Sequence, residues 1–232
     1  MTTANKVKPL ASDDPRSAFP IFTISEAATY LGLSYSTLRS WVRPDIGKPL
    51  VYSFPKEGHF ASIPFVGFAE AFVLAAAKRA GLKPKAIREG VEAVRKDVGL
   101  DYALATKRLY VDKAELLLSY ALEDEPPGDL TVARSRQLQL TETVKDFLEL
   151  ITYGSDDFAS TIQLPIFKKT KVIVDPSEAF GQPIVERTGT RVRDVLSLFF
   201  ADEEIDDIAY DFDLERAEVE DLIRAQTKPP AD

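Results

Sequence analysis

The sequence predicts a mainly α-helical chain with small β elements: an N-terminal helical unit, then a C-terminal three-helix unit preceded by a short β hairpin. Three features point there. Apolar residues recur at helical spacing in successive segments, with Ser, Thr or Asp at their starts and Gly or Pro at their ends. The strand-like runs, within 47–62 and 162–174, are short and broken by Gly, Pro or Lys. The charge is also divided along the chain. Residues 1–122 hold 17 Lys/Arg against 12 Asp/Glu, residues 123–180 hold 6 against 11, and residues 181–232 hold 6 against 14. The balances of +5, −5 and −8 set a basic half against a strongly acidic one within a chain of formal charge −8. Such a division suits two surfaces with different partners.

Residues 1–18 are polar, contain Pro and Asp, and lack the basic-then-apolar pattern of a secretory leader; they read as a disordered N-terminus. Thr23-Ile24-Ser25-Glu26 has the spacing of a capping box, in which the Thr hydroxyl and the Glu carboxylate satisfy free amides at a helix start. Ala27, Ala28 and Leu31 fall on one face, and Gly32 supplies the turn. Ser34 is a second N-cap with Leu33 and Leu38 as a staple across it, Trp41 and Val42 continue the apolar face, and Pro44 stops the helix. Two short capped helices joined by a three-residue turn make a helix-turn-helix.

Leu50-Val51-Tyr52 and His59-Phe60, set among Gly47, Pro49, Pro55 and Gly58, read as two short strands of a wing. Pro64 opens a helix that Gly81 closes, and Pro84 opens another with Ile87, Val91, Val94 and Val98 on one face. A short strand at Leu109–Val111 and a further apolar helix follow, before the hinge Glu123-Asp124-Glu125-Pro126-Pro127-Gly128. Val144, Phe147, Leu148 and Ile151 then stripe an amphipathic helix starting at Thr141. Ile162–Phe167 and Lys171–Val174 read as a hairpin turning at Lys168-Lys169-Thr170. Three helices close the chain: one striped by Val192, Val195, Leu196 and Phe199, a second capped by Asp202, a third capped by Asp213.

Composition excludes several classes. At 45% hydrophobic and 28% charged, the 232 residues are too apolar for wholesale disorder. There is no cysteine, which removes disulfides, thiolate metal sites and cysteine nucleophiles and suits a reducing cytoplasm. The longest apolar stretch, Ile63 to Ala77, contains Glu70 and falls short of the roughly 20 residues a membrane helix needs, so it reads as a core helix. His59, the only histidine, has neither a general-base partner nor companion metal ligands, and reads as a wing or surface residue. The run Asp202–Asp207 lacks the glycine turn and alternating ligands of a calcium loop. No glycine-rich phosphate loop, serine triad or His-Glu metal motif is present. No catalytic residue, metal or cofactor is therefore expected, and a non-enzyme is.

Residues 22 to about 98 resemble the MerR-like winged helix-turn-helix family. The matching elements are Phe22-Thr23-Ile24-Ser25-Glu26-Ala27-Ala28, Leu31-Gly32-Leu33-Ser34, Thr37-Leu38-Arg39-Ser40-Trp41, and the helix start Gly81-Leu82-Lys83-Pro84-Lys85-Ala86-Ile87. The resemblance implies that the helix from Ser34 to Arg43 enters the major groove. Tyr35, Ser36, Arg39, Ser40 and Arg43 would face DNA, with Lys48, Lys56 or His59 on the wing near phosphate. Unlike many members, this chain has no long heptad segment after Val98 and no sensing cysteines. Residues 172–226 resemble a small domain of bacterial antitoxins through Asp175-Pro176, Phe180-Gly181-Gln182-Pro183-Ile184-Val185, Gly189-Thr190-Arg191-Val192, Glu203-Glu204-Ile205 and Ala209-Tyr210-Asp211-Phe212.

A MerR-like head with this tail is similar to VapB-type antitoxins. That implies a homodimer on operator DNA, a PIN-domain ribonuclease toxin as partner, and pairing of Arg187, Arg191 or Arg193 with carboxylates of the toxin. The divisions expected are 1–18, a DNA-binding unit 19–122, a hinge and middle region 123–170, and an acidic antitoxin-like unit 171–232. A free-standing repressor without a toxin partner is the alternative.

Overall fold

The computed structural model describes residues 7–45, 47–55, 58–107 and 144–227. The strand expected at Leu109–Val111, the helix after it and the hinge at Glu123–Gly128 lie outside them. The first element departs from the sequence expectation of a structureless start. Helix α1 (Pro15–Ala18) is capped by the Asp14 carboxylate, which accepts from the Arg16 amide at 2.9 Å. The Arg16 guanidinium spans Asp14 and Asp156. The partner that holds this segment lies 140 positions away, so no local pattern announces it.

Strand β1 (Pro20–Phe22) leads into α2 (Ile24–Leu31) and α3 (Tyr35–Val42), the expected helix pair. β1 pairs antiparallel with β2 (Ile63–Pro64), Phe22 opposite Ile63. The segment between α3 and β2 contains no strand among its described residues, contrary to the expected wing pair. Leu50 and Val51 are buried, and both amides donate to the Trp41 carbonyl, at 2.7 and 3.3 Å. Their apolar side chains and hydrogen bonds thus anchor the chain to the end of α3 rather than build a ladder. The excursion still folds back on itself: the Phe54 amide donates to Ser62, whose own amide donates to Phe22.

Helix α4 (Phe65–Arg79) is apolar nearly all round, and Phe65, Phe68, Phe72 and Leu74 are fully enclosed. A helix of that composition must be wrapped by neighbours. It is: α1, α2, β1, β2 and α5 (Pro84–Val98) all pack on it. Pro64 sits at the N-cap of α4 rather than inside its first turn. α5 turns Ile87, Val91, Val94 and Val98 inward, ends at the left-handed Gly99, and is followed by a 3-10 turn, Ala103–Ala105.

Residues 144–148 are helical, with Val144 and Leu148 buried. Ile151, assigned by its spacing to that helix, instead opens β3 (Ile151–Tyr153) and lies opposite Ile162. Spacing alone cannot separate the two states for one apolar residue at an element's end. β3, β4 (Ala159–Gln163), β5 (Val172–Val174) and β6 (Ile184–Val185) form an antiparallel sheet in that order. The expected first hairpin strand is therefore shifted toward the N-terminus, although Leu164 and Phe167 beyond it remain buried. The pairing of β4 with β5 joins residues on both sides of position 170.

α6 (Val192–Phe199), α7 (Ile205–Asp211) and α8 (Arg216–Thr227) complete the chain. Asp202 and Asp213 do not cap the helices that follow them; Glu204 holds the cap position of α7. Both aspartates have left-handed backbone, φ 64° and 53°. Each closes the preceding helix: the Glu203 amide reaches the Leu198 carbonyl at 3.2 Å, and the Leu214 amide reaches Ala209 at 2.8 Å. Asp is one of the few residues with a side chain that tolerates this conformation.

The two halves share one core. Phe22, Leu38, Phe68 and Val91 belong to the same apolar cluster as Leu148, Ile162, Val192 and Leu222. Tyr102 packs on Phe158 with ring centroids 5.8 Å apart, the Lys107 amide donates to Asp157, and the Gln182 side-chain amide donates to the Ile21 carbonyl.

One contact inside this core yields a prediction. A methyl on Gly67 of α4 would collide with the Tyr52 carbonyl. Gly67→Ala would gain about 1 kcal/mol of helix propensity. Overpacking against backbone costs about 1–3 kcal/mol or more, so net destabilisation is expected. The check is a lower urea midpoint at unchanged m-value.

Candidate nucleic-acid interface

α2 and α3 are set by two caps and one tight turn. The Glu26 amide donates to the Thr23 hydroxyl at 3.2 Å, and the Thr23 amide donates to the Glu26 carboxylate at 2.8 Å, completing the capping box. Gly32 follows with φ 61°, and a side chain there would also strike Arg79. Arg79 donates to the Leu31 carbonyl at the end of α2 and lies 4.8 Å from the Phe147 ring centroid. Burial pulls its pKa below the usual arginine value. That cation serves the fold. Ser34 caps α3 through the Thr37 amide.

Leu38, Trp41 and Val42 point into the core, which fixes the opposite face of α3 outward. Tyr35 (47% exposed), Ser36, Arg39 and Ser40 occupy that outer face. Arg39 has no hydrogen bond or ion pair among the described residues. The small hydroxyls are arranged locally: Ser36 lies 3.1 Å from the Ser34 oxygen, and Ser40 donates to Thr37. Arg43 differs from Arg39. It takes the C-cap position, is half-buried, and has its Nη2 covered without a hydrogen-bond partner among the described residues. Lys48 is exposed, while its carbonyl accepts from Arg88 at 2.9 Å. Lys56 lies outside the described residues.

Two features of this face were not read from the sequence. Ser25, Tyr35, His59 and Phe60 line a cleft of about 180 Å³ between the start of α2 and the loop after α3, and Phe60 is 77% exposed. The loop itself is tied down from beneath. Glu70 is completely buried in α4; its carboxylate accepts from the Tyr52 amide at 2.7 Å and meets Arg95 at 3.3 Å. Arg95 donates in turn to the carbonyls of Pro49 and Leu50. A lone acid in an apolar run was the available signal, because a buried carboxylate requires partners.

The expected partner-binding arginines are differently placed. Arg187 is held by Asp213 at 3.2 Å and Glu218 at 3.0 Å, and Arg191 by Asp194 at 2.7 Å. Arg193 is exposed and carries no ion pair among the described residues. No helix among the described residues is long and apolar enough to cross a membrane.

A capped helix pair with an outward, partly cationic second helix, joined to an acidic helical tail, defines a helix-turn-helix protein. Comparison with known proteins agrees. Residues 20–91 match the family described as "Putative DNA-binding HTH domain", and residues 172–224 match one described as "Protein of unknown function (DUF433)". The chain is 34% identical over 224 residues to "Putative antitoxin VapB45" of Mycobacterium tuberculosis, a match spanning 89% of this chain and 93% of that one. The crystal structure of Rv2018 from Mycobacterium tuberculosis superposes with a TM-score of 0.72 at 31% identity, over 90% of this chain and 99% of that one. The chain belongs to this VapB-type antitoxin family, with an N-terminal helix-turn-helix DNA-binding domain and a C-terminal domain of the second kind.

The Glu70 site predicts a pH dependence. Burial pushes the Glu70 pKa up to about 7, against the opposing pull of Arg95 and the Tyr52 amide. Its folded-state pKa is thus above its unfolded value, so the folded chain binds the extra proton between about pH 4.5 and 7. This group's contribution is full below that window and is lost as the pH rises through it, by roughly 3 kcal/mol at most. Urea titrations at pH 5 and pH 8 should show that loss in the wild type and a smaller one in Glu70→Gln.

Proposed function

We propose that this chain is the antitoxin of a type II pair, working in the cytoplasm. As a homodimer it represses its own operon through α3 and neutralises a PIN-domain ribonuclease of VapC type through its acidic C-terminal unit. The observation that carries the DNA half is Arg39, an arginine on the open face of the second helix with no carboxylate bound to it among the described residues. Arg can fork onto guanine or clamp phosphate, and the second helix of this motif is the one that lies in the major groove. Tyr35, Ser36 and Ser40 share its face, Lys48 and Lys56 are assigned to phosphate, and Arg43 contributes from the edge. A dimer follows from two-fold operators, whose half-sites need paired readers.

The DNA-binding unit is assigned to residues 19–122 and the toxin-binding unit to 171–232, joined through 123–170. A ribonuclease must present a cationic surface to its RNA. The acidic unit, at 6 Lys/Arg against 14 Asp/Glu over residues 181–232, is suited to cover such a surface and unsuited to a second contact with DNA. Of the three arginines assigned to the toxin's carboxylates, Arg193 carries no ion pair among the described residues. Arg187 and Arg191 would have to exchange internal partners for external ones.

The test is an electrophoretic shift assay on DNA upstream of the gene, at increasing salt. Arg39→Glu should weaken binding by about tenfold or more and flatten the dependence on ionic strength, while Arg224→Gln, on the exposed side of α8, should leave that slope unchanged. Equal affinity and slope for Arg39→Glu and wild type would overturn the assignment.

A further inference from the structure

The corner where α6 meets α7 carries an exposed aromatic ring beside a run of acids. Phe199 and Phe200 end α6 in an edge-on pair with centroids 5.6 Å apart. Phe199 packs against the core, whereas Phe200 is 67% exposed. With Ile205 they floor an open cleft of about 470 Å³ whose edges are Asp202, Glu203, Glu204 and Asp206. A second depression of about 290 Å³ continues from Phe199 and Ile205 to Ile223. Arg216, the one cation lining the first cleft among the described residues, is already bound between Asp206 at 2.7 Å and Glu220 at 3.1 Å. Asp202, Glu203 and Glu204 have no ion pair among the described residues.

Helix polarity accounts for part of this. Negative charge is favoured at the start of α7, so Glu204 and Asp206 have a local reason to be there. Nothing of that kind explains an aromatic ring left in water beside them. Phe199 meets the ring edge-on, and the left-handed turn at Asp202, closed by the Glu203 amide on Leu198, sets the acidic edge beside it. An aromatic anchor inside a polar rim is how a few residues come to dominate an interface. Phosphate backbones are repelled by such a rim, so the occupant is not a nucleic acid.

We infer that this cleft docks a cationic surface segment of the toxin, with an apolar side chain laid on Phe200 and Lys or Arg residues paired with Asp202, Glu203 and Glu204. The inference rests on the antitoxin reading above and names its surface. Charge complementarity selects the occupant: a ribonuclease groove built to hold RNA supplies the positive charge, and the acidic edge meets it. The arginines of the 187–193 segment are then secondary.

The test uses the full-length chain and the purified protein encoded by the reading frame beside its gene, with affinity measured by interferometry at low and high salt. Phe200→Ser should weaken the complex by about tenfold or more. The double variant Glu203→Lys, Glu204→Lys should weaken it as much and reduce its salt dependence. Operator binding and melting temperature should stay as in wild type. If Phe200→Ser also lowers the melting temperature, the charge-reversed variant decides. Affinities within about twofold of wild type for both variants, with loss instead in Arg187→Glu, Arg191→Glu, Arg193→Glu, would move the interface elsewhere and leave the antitoxin reading standing. Absence of any complex between the wild-type chains would remove both.

Discussion

The buried contact between Glu70 and Arg95 is the constraint on which the candidate interface depends. A carboxylate sealed inside an apolar helix is costly to ionise. Here it is used to hold backbone: Glu70 takes the Tyr52 amide, and Arg95 takes the carbonyls of Pro49 and Leu50. Those residues in turn hold the last turn of α3, since the Leu50 and Val51 amides end on Trp41. The orientation of the helix that carries Arg39 is therefore determined from the far side of the core. Among its described residues the loop has no ladder of its own to rely on, and a polar clamp stands where a sheet was expected.

The same logic sorts the cations. Arg79, Arg88 and Arg95 all donate to backbone carbonyls and brace the fold, whereas Arg39 stands on the surface without an acceptor among the described residues. A net positive balance over residues 1–122 thus overstates the charge available to a polyanion. In the acidic half the reverse applies. Arg187, Arg191 and Arg216 are each bound by neighbouring carboxylates, so the field there is set by the acids left over.

Much of the fold was legible because its rules are local. The capping box at Thr23, the turn at Gly32, the cap at Ser34 and the proline at the start of α5 each act within one helical turn, and each stands where the sequence put it. What escaped was settled at a distance. α1 depends on Asp156, β3 on the pairing of Ile151 with Ile162, and the loop after α3 on Glu70 and Arg95. Asp202 and Asp213 mislead for a different reason: the same short acidic side chain suits both a helix start and a left-handed helix stop. At the site, the outward face of α3 followed from the burial of Leu38, Trp41 and Val42. The half-burial of Arg43 did not, because it depends on where the chain turns after the helix.

The continuous core joining the two halves has a consequence for lifetime. When the DNA-reading helices and the acidic tail melt as one body, whatever grips one end raises the free energy of opening the other, by an amount set only by concentration and affinity. Cellular proteases cut opened chains, so a chain without its companions would turn over faster than one engaged at either end. On the proposed reading, occupancy at the tail would then be felt at the DNA as abundance, without any movement being transmitted between them.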